Sequence, residues 1–215
     1  MTKRTLSELT RRHEEAVRPG WIARSPVRIV AVGASTGGPT AIQSILRELP
    51  AAFPVPIVVV QHISPDFTLP LVEWLGNSVT LPVELAAEGA VALPGHVYIA
   101  PGDLHLTVGR RGRLNLNQSP PIHACRPSID PLFTSVAEAY GPAAIGVLLT
   151  GMGVDGAQGL SHLHARGGRT IVQDESSAVI FGMPRAAIEK NAADVVLPLE
   201  KIGAMLIRWV QELPG

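Results

Sequence analysis

Three residues of the kinds needed for acyl transfer stand at comparable places along this sequence: Ser35, His62 and Asp155. Ser35 lies in Gly33-Ala34-Ser35-Thr36-Gly37, which has the G-x-S-x-G spacing of a nucleophile elbow. There a serine sits on a sharp strand-to-helix turn, and the flanking glycines let backbone pass closely. Helix N–H groups beside such a serine stabilise an anion. His62 ends the run Val58-Val59-Val60-Gln61-His62, and Asp155 follows Leu149-Thr150-Gly151-Met152-Gly153-Val154. In the chemistry these types permit, the hydroxyl attacks a carbonyl and imidazole takes its proton. The carboxylate holds the imidazole tautomer and stabilises its charged form. Gly151-Met152-Gly153 can also turn backbone N–H groups towards one point, as an oxyanion site requires. Each residue has a plainer reading: Ser35 as a helix cap, His62 as a structural histidine, Asp155 as a cap for the helix after it. The glycines around Met152 likewise suit an ordinary turn.

The elements that must position these residues follow from hydrophobic periodicity. Val27–Val32 reads as a buried strand, followed by a helix with Ile42, Ile45, Leu46 and Leu49 on one stripe and Pro39 in its first turn. Val55–Val60 is a second strand, apolar on both faces, and Phe67–Leu75 a short helix. Val97–Ala100, Leu104–Val108 and Leu114–Leu116 read as shorter strands, the last two forming an antiparallel hairpin appended to the sheet. Asp130-Pro131 opens a helix with Asp130 as N-cap, and Ala143–Thr150 is a third doubly buried strand. Then come a helix over Gly156–Ala165 stopped by Gly167-Gly168, a strand over Arg169–Gln173, a helix over Pro184–Lys190, a strand over Val195–Leu197 and a closing helix over Ile202–Leu213. Ile202, Leu206, Trp209, Val210 and Leu213 share one side of that last helix. Strands alternating with helices predict an α/β fold: a three-layer, doubly wound, mostly parallel sheet with a hairpin added. Ser35, His62 and Asp155 then all fall on the carboxyl rim, where sites form in such sheets.

Composition narrows the classes. At 215 residues, 46% hydrophobic and 17% charged, the chain can bury a real core. Eighteen basic and 18 acidic side chains leave no net charge, which removes any general argument for a nucleic-acid or membrane-surface partner. The single cysteine, Cys125, forms no internal disulfide and fits a reducing cytoplasm. No apolar run approaches the ~20 residues of a membrane span. The other histidines (His13, His96, His105, His123, His162, His164) lack metal-ligand spacing, and no zinc site is read from them. Residues 1–26 stand apart as an arm or linker remnant, with seven Lys/Arg against three Glu up to Arg28.

In order along the chain, GASTGGPTAI, VVVQHISPDFT, HVYIAPGDLHL, CRPSIDPLFTSVAEAYG, GVLLTGMGVDGAQGL and QDESSAVIFGMPRAAI closely resemble the catalytic domain of CheB-type protein-glutamate methylesterases. The resemblance runs from about Val27 to the C-terminus, marking 27–215 as the catalytic domain. It implies hydrolysis of glutamate γ-methyl esters on the cytoplasmic helices of bacterial chemoreceptors, and deamidation of certain receptor glutamines. Carried over, it makes Ser35 the nucleophile, His62 the base and later acid, and Asp155 the residue orienting His62. Thr36 and the Met152 N–H would surround the oxyanion. No metal or organic cofactor is implied, and the setting is cytoplasmic, among chemosensory signalling proteins.

Two departures stand out. Asn is common in the family where this chain has Val154, so a polar group beside Asp155 is lost. Family members also usually carry an N-terminal receiver domain, which 26 residues are too few to form. Both keep open an alternative: a weakly active or inactive relative serving as a scaffold. A second rival is a phosphate-cradling nucleotide module. No Gly-Lys-Ser/Thr follows the glycine turn, however, and the second strand ends in Gln61-His62 rather than an acidic residue.

Overall fold

The computed structural model describes residues 26–212. Seven strands form one parallel sheet: β1 (Ile29–Ala34), β2 (Ile57–Gln61), β3 (Val83–Leu85), β4 (Val97–Ile99), β7 (Ala144–Leu148), β8 (Arg169–Gln173) and β9 (Val195–Leu197). Their spatial order is β3-β4-β2-β1-β7-β8-β9, so β1 lies at the centre between β2 and β7. All of β1, β2, β7 and β8 is buried, which is why these segments read as continuous apolar runs rather than alternating ones.

Helices cover both faces. The stripe of α1 (Gly38–Glu48) packs with α6 (Leu199–Gln211) over one face, joined there by Leu71 and Leu75 of α2 (Pro65–Gly76). Ile42, Ile45, Leu46 and Leu49 are each 2% exposed, as the 3.6-residue period requires. The opposite face carries α3 (Ile129–Tyr140), α4 (Ala157–Ala165) and α5 (Met183–Glu189). On α6, Ile202, Leu206 and Trp209 are buried and Val210 is half-buried; Leu213 lies outside the described residues, as does the arm over 1–25.

The hairpin β5 (His105–Val108) and β6 (Leu114–Asn117) is the added antiparallel pair that the sequence predicts, a two-stranded sheet packed on α3. The structure differs from the sequence expectation at two places. The edge strand β3 has only three residues, none fully buried, so it leaves no hydrophobic run to read. At α3 the helix begins at Ile129 with Ser128 in the cap position, and Asp130 lies inside the first turn. The Ser128 hydroxyl makes no cap bond because it is turned towards Asp155.

Candidate active site

The end of β1 is a left-handed corner. Gly37 precedes α1 with φ of 79°, and a side chain there would stand 2.6 Å from Val179 Cγ2. The Ser35 N–H donates to the Thr150 carbonyl at 2.9 Å, and the Ser35 carbonyl accepts from the Gly38 N–H at 2.8 Å. One side chain from β2 then ties two loops together: the Gln61 amide donates to the Ser35 carbonyl at 2.9 Å and to the His62 carbonyl at 2.8 Å. Gln61 was legible only as a polar residue ending an otherwise apolar strand. The Thr150 hydroxyl donates to the Thr36 carbonyl at 2.8 Å, so the corner is held from the β7 side as well.

Asp155 follows β7 and is 2% exposed. Its Oδ2 accepts from His62 Nε2 at 2.7 Å and from the Ile129 N–H at 2.8 Å. Oδ1 accepts from the Ser128 hydroxyl at 2.7 Å and from the N–H groups of Asp130 (3.2 Å) and Gly156 (2.9 Å). The carboxylate therefore caps α3, a helix that precedes it in sequence, rather than α4, which follows. That position suits an anion, since the first N–H groups of a helix have no internal partner. Burial alone would raise the Asp155 carboxyl. The bonds from His62, Ile129 and Ser128, with the His62 charge, outweigh burial and hold it below the ordinary carboxylate range. Ser128 and the first turn of α3 thus hold this carboxylate, a contact that spacing does not reveal even though CRPSID is one of the motifs.

Val154 is 49% exposed, and every acceptor position of Asp155 is filled without it. The lost polar group at 154 leaves the hydrogen bonding of Asp155 complete. Nearby, burial pushes the Asp130 carboxyl up, the Gly159 N–H opposes this, and the Asp155 charge adds to the rise.

His62 uses Nε2 for Asp155, so Nδ1 is the nitrogen left to meet a substrate-side group. The chain continues the β1–β2 ladder here: Ala34 is in register with Gln61, and the His62 N–H donates to the Ala34 carbonyl at 3.0 Å. Ser35 and His62 are the next residues on two strands about 5 Å apart. Ser35 makes no side-chain hydrogen bond among the described residues, and the atom facing His62 Nδ1 is Cys125 Sγ at 3.7 Å. The structure thus joins His62 to Asp155 and brings Ser35 alongside without closing that last bond. Catalytic hydrogen bonds are often open before substrate binds.

Cys125 is held there by a tight turn in which Ile122 and Cys125 exchange two backbone bonds (3.1 and 2.8 Å). Both residues between them have positive φ without being glycine, His123 at 51° and Ala124 at 59°. Burial, and secondarily the Asp155 charge, push the Cys125 thiol up. A thiol so disfavoured as thiolate is a poor nucleophile.

The loop after β7 passes directly over Ser35. A side chain at Gly151 would meet Met183 Sδ at 2.5 Å and Ser35 Cβ at 2.6 Å. Gly151 spends its N–H on the Ile180 carbonyl and its carbonyl on Gly182 and Met183. The N–H groups of Met152 and Thr36 donate to nothing among the described residues. Gly151→Ala is expected to displace the corner, lowering stability by about 1–3 kcal/mol and turnover with it; thermal unfolding and ester hydrolysis measured together check this.

Three of the other described histidines have local partners. His105, 1% exposed, accepts the Ser128 N–H, while His96 pairs with Glu84 and His164 lies 3.6 Å from Asp194. Folding does gather two mixed sets within 4.8 Å, His62/Cys125/Asp155 and His123/Asp130/Asp155. Their members are too far apart in sequence for any spacing rule.

Comparison with known proteins points to one family. The profile of the CheB methylesterase family matches residues 30–206. Protein-glutamate methylesterase FrzG of Myxococcus xanthus is 52% identical over 185 residues, covering 86% of this chain and 55% of that protein. A protein-glutamate methylesterase/protein-glutamine glutaminase of Nitrosospira multiformis is 50% identical over 188 residues, covering 87% and 53%. The crystal structure of the Thermotoga maritima CheB methylesterase catalytic domain superposes with a TM-score of 0.82 at 43% identity, over 86% of this chain and 99% of that one. The chain spans about half the length of the curated relatives it matches. It belongs to the CheB methylesterase family.

Proposed function

We propose that residues 27–215 act as the catalytic unit of a protein-glutamate methylesterase and protein-glutamine glutaminase, with cytoplasmic chemoreceptor helices as substrate. The observation that carries this is the buried Asp155–His62 pair at 2.7 Å, standing beside the serine corner of the neighbouring strand. Asp155 keeps the imidazole proton on Nε2, so Nδ1 presents a lone pair. That nitrogen takes the Ser35 proton as Oγ attacks the γ-carbonyl carbon of a methylated glutamate. The negative oxygen of the tetrahedral adduct lies against the Thr36 and Met152 N–H groups. The C–O bond to methanol breaks as His62 returns the proton to the leaving oxygen, giving an acyl-enzyme on Ser35. Water, deprotonated by His62, releases the glutamate carboxylate and restores the serine. With a glutamine substrate the leaving group is ammonia.

The alternative of a scaffold with little activity draws on the Ser35–His62 bond being open. One experiment separates the two: methanol release from methylated receptor fragments by the purified chain. Turnover supports the esterase; a folded chain that binds the fragments and releases no methanol supports the scaffold.

A further inference from the structure

The nitrogen that would serve as base faces a sulfur. His62 Nδ1 and Cys125 Sγ are 3.7 Å apart, and the opposite ring nitrogen is fixed at 2.7 Å by Asp155. Zinc binds Cys sulfur at ~2.3 Å and His nitrogen at ~2.0–2.1 Å in tetrahedral geometry, which sets two such ligand atoms roughly 3.5 Å apart. The 3.7 Å between His62 Nδ1 and Cys125 Sγ is close to that span. Asp155 does not compete as a direct ligand, because all its acceptor positions are filled by five donors. It supplies instead the carboxylate behind a ligating histidine, which orients the ring and raises its basicity.

We propose that His62 Nδ1 and Cys125 Sγ form a binding site for a thiophilic divalent cation such as Zn²⁺, and that an ion there inhibits the hydrolase. Both residues are half-buried and therefore reachable from solvent, so water can complete the coordination. On binding, the Cys125 S–H proton passes to solvent and a sulfur–metal bond forms; no oxidant or reductant is involved. The ion occupies the lone pair that would accept the Ser35 proton, so attack on the ester stops until a chelator removes it. The binding half of this inference stands on the His62–Cys125 geometry alone, whereas the inhibition half rests on the esterase reading above.

Cobalt(II) is a suitable probe, because Cys125 is the only cysteine in the sequence and any thiolate-to-cobalt charge-transfer band reports on it. The full chain, stripped with chelator, is titrated with Co²⁺ and with Zn²⁺ as competitor. A saturable band at one equivalent, displaced by Zn²⁺ and weakened roughly 10–100-fold or more in His62→Gln, is the expected result. No band, or a band indifferent to His62→Gln, overturns the site; a tetrahedral cobalt spectrum without a thiolate band places the metal on His123/Asp130 and also overturns it. Methanol release is then followed against Zn²⁺ concentration, each protein relative to its own metal-free rate. Cys125→Ser, with Cys125→Ala as a second variant and circular dichroism as the folding check, is expected to need at least ~10-fold more Zn²⁺ for half-inhibition. Equal sensitivity in folded variants overturns the inhibitory role. If the metal-free chain releases no methanol, the esterase reading fails while the cobalt spectrum still decides the site.

Discussion

Ser35→Ala is expected to cut methanol release by roughly 10⁴- to 10⁶-fold while leaving the protein folded. The size follows from chemistry: without the hydroxyl there is no acyl-enzyme, and the orphaned His62–Asp155 pair has nothing to deprotonate but water. The intact fold follows from structure. The Ser35 side chain makes no hydrogen bond among the described residues, and the backbone bonds that hold the corner, to Thr150, Gly38 and Gln61, survive the substitution. A change in unfolding free energy within about 0.5 kcal/mol is expected. Undiminished release would mean that another group is the nucleophile.

Asp155→Asn is expected to do damage of two kinds. An amide has one acceptor oxygen where the carboxylate accepts five donors. The better orientation keeps the oxygen on the Oδ1 side, where Ser128, Asp130 and Gly156 donate. It then points the NH₂ at the Ile129 N–H and at His62 Nε2. To accept that proton, His62 must carry its own on Nδ1, and the lone pair needed by Ser35 disappears. A loss of about 10⁴-fold in turnover is expected from the wrong tautomer. Stability should also fall, by roughly 2–5 kcal/mol, because buried donors lose a charged partner. Turnover and denaturant unfolding measured on the same preparation check both. A stable, active Asp155→Asn protein would reduce Asp155 to a helix cap.

Much of the fold was legible because burial on both faces writes itself as uninterrupted apolar sequence. Arg169–Gln173 and Val195–Leu197 match their strands residue for residue, and Ile42, Ile45, Leu46 and Leu49 form the buried stripe they spell out. Strand ends were less sharp, since β1 starts two residues after Val27 and runs on to Ala34. What the sequence concealed was contact between distant loops. Spacing offers Asp155 as a catalytic residue or as the cap of the helix after it; the carboxylate bonds His62 and caps α3 rather than that following helix. Val154 looked consequential because it neighbours Asp155 in sequence, yet its side chain takes no part in the hydrogen bonding there. Cys125 came close to His62 through a turn with two left-handed non-glycine residues, for which no residue type is diagnostic. For Ser35 and His62 the structure supplies the adjacency through strand register and leaves the hydrogen bond between them open.

The most direct test of the Ser35–His62–Asp155 unit is the rate of methanol release by the Ser35→Ala/His62→Gln double variant, set beside the two single variants. If the residues act as one device, the double variant is no slower than the slower single one, because the first loss already removes the whole function. If instead the two losses multiply, the hydroxyl and the imidazole contribute separately, and the proposed proton transfer from Ser35 to His62 does not take place.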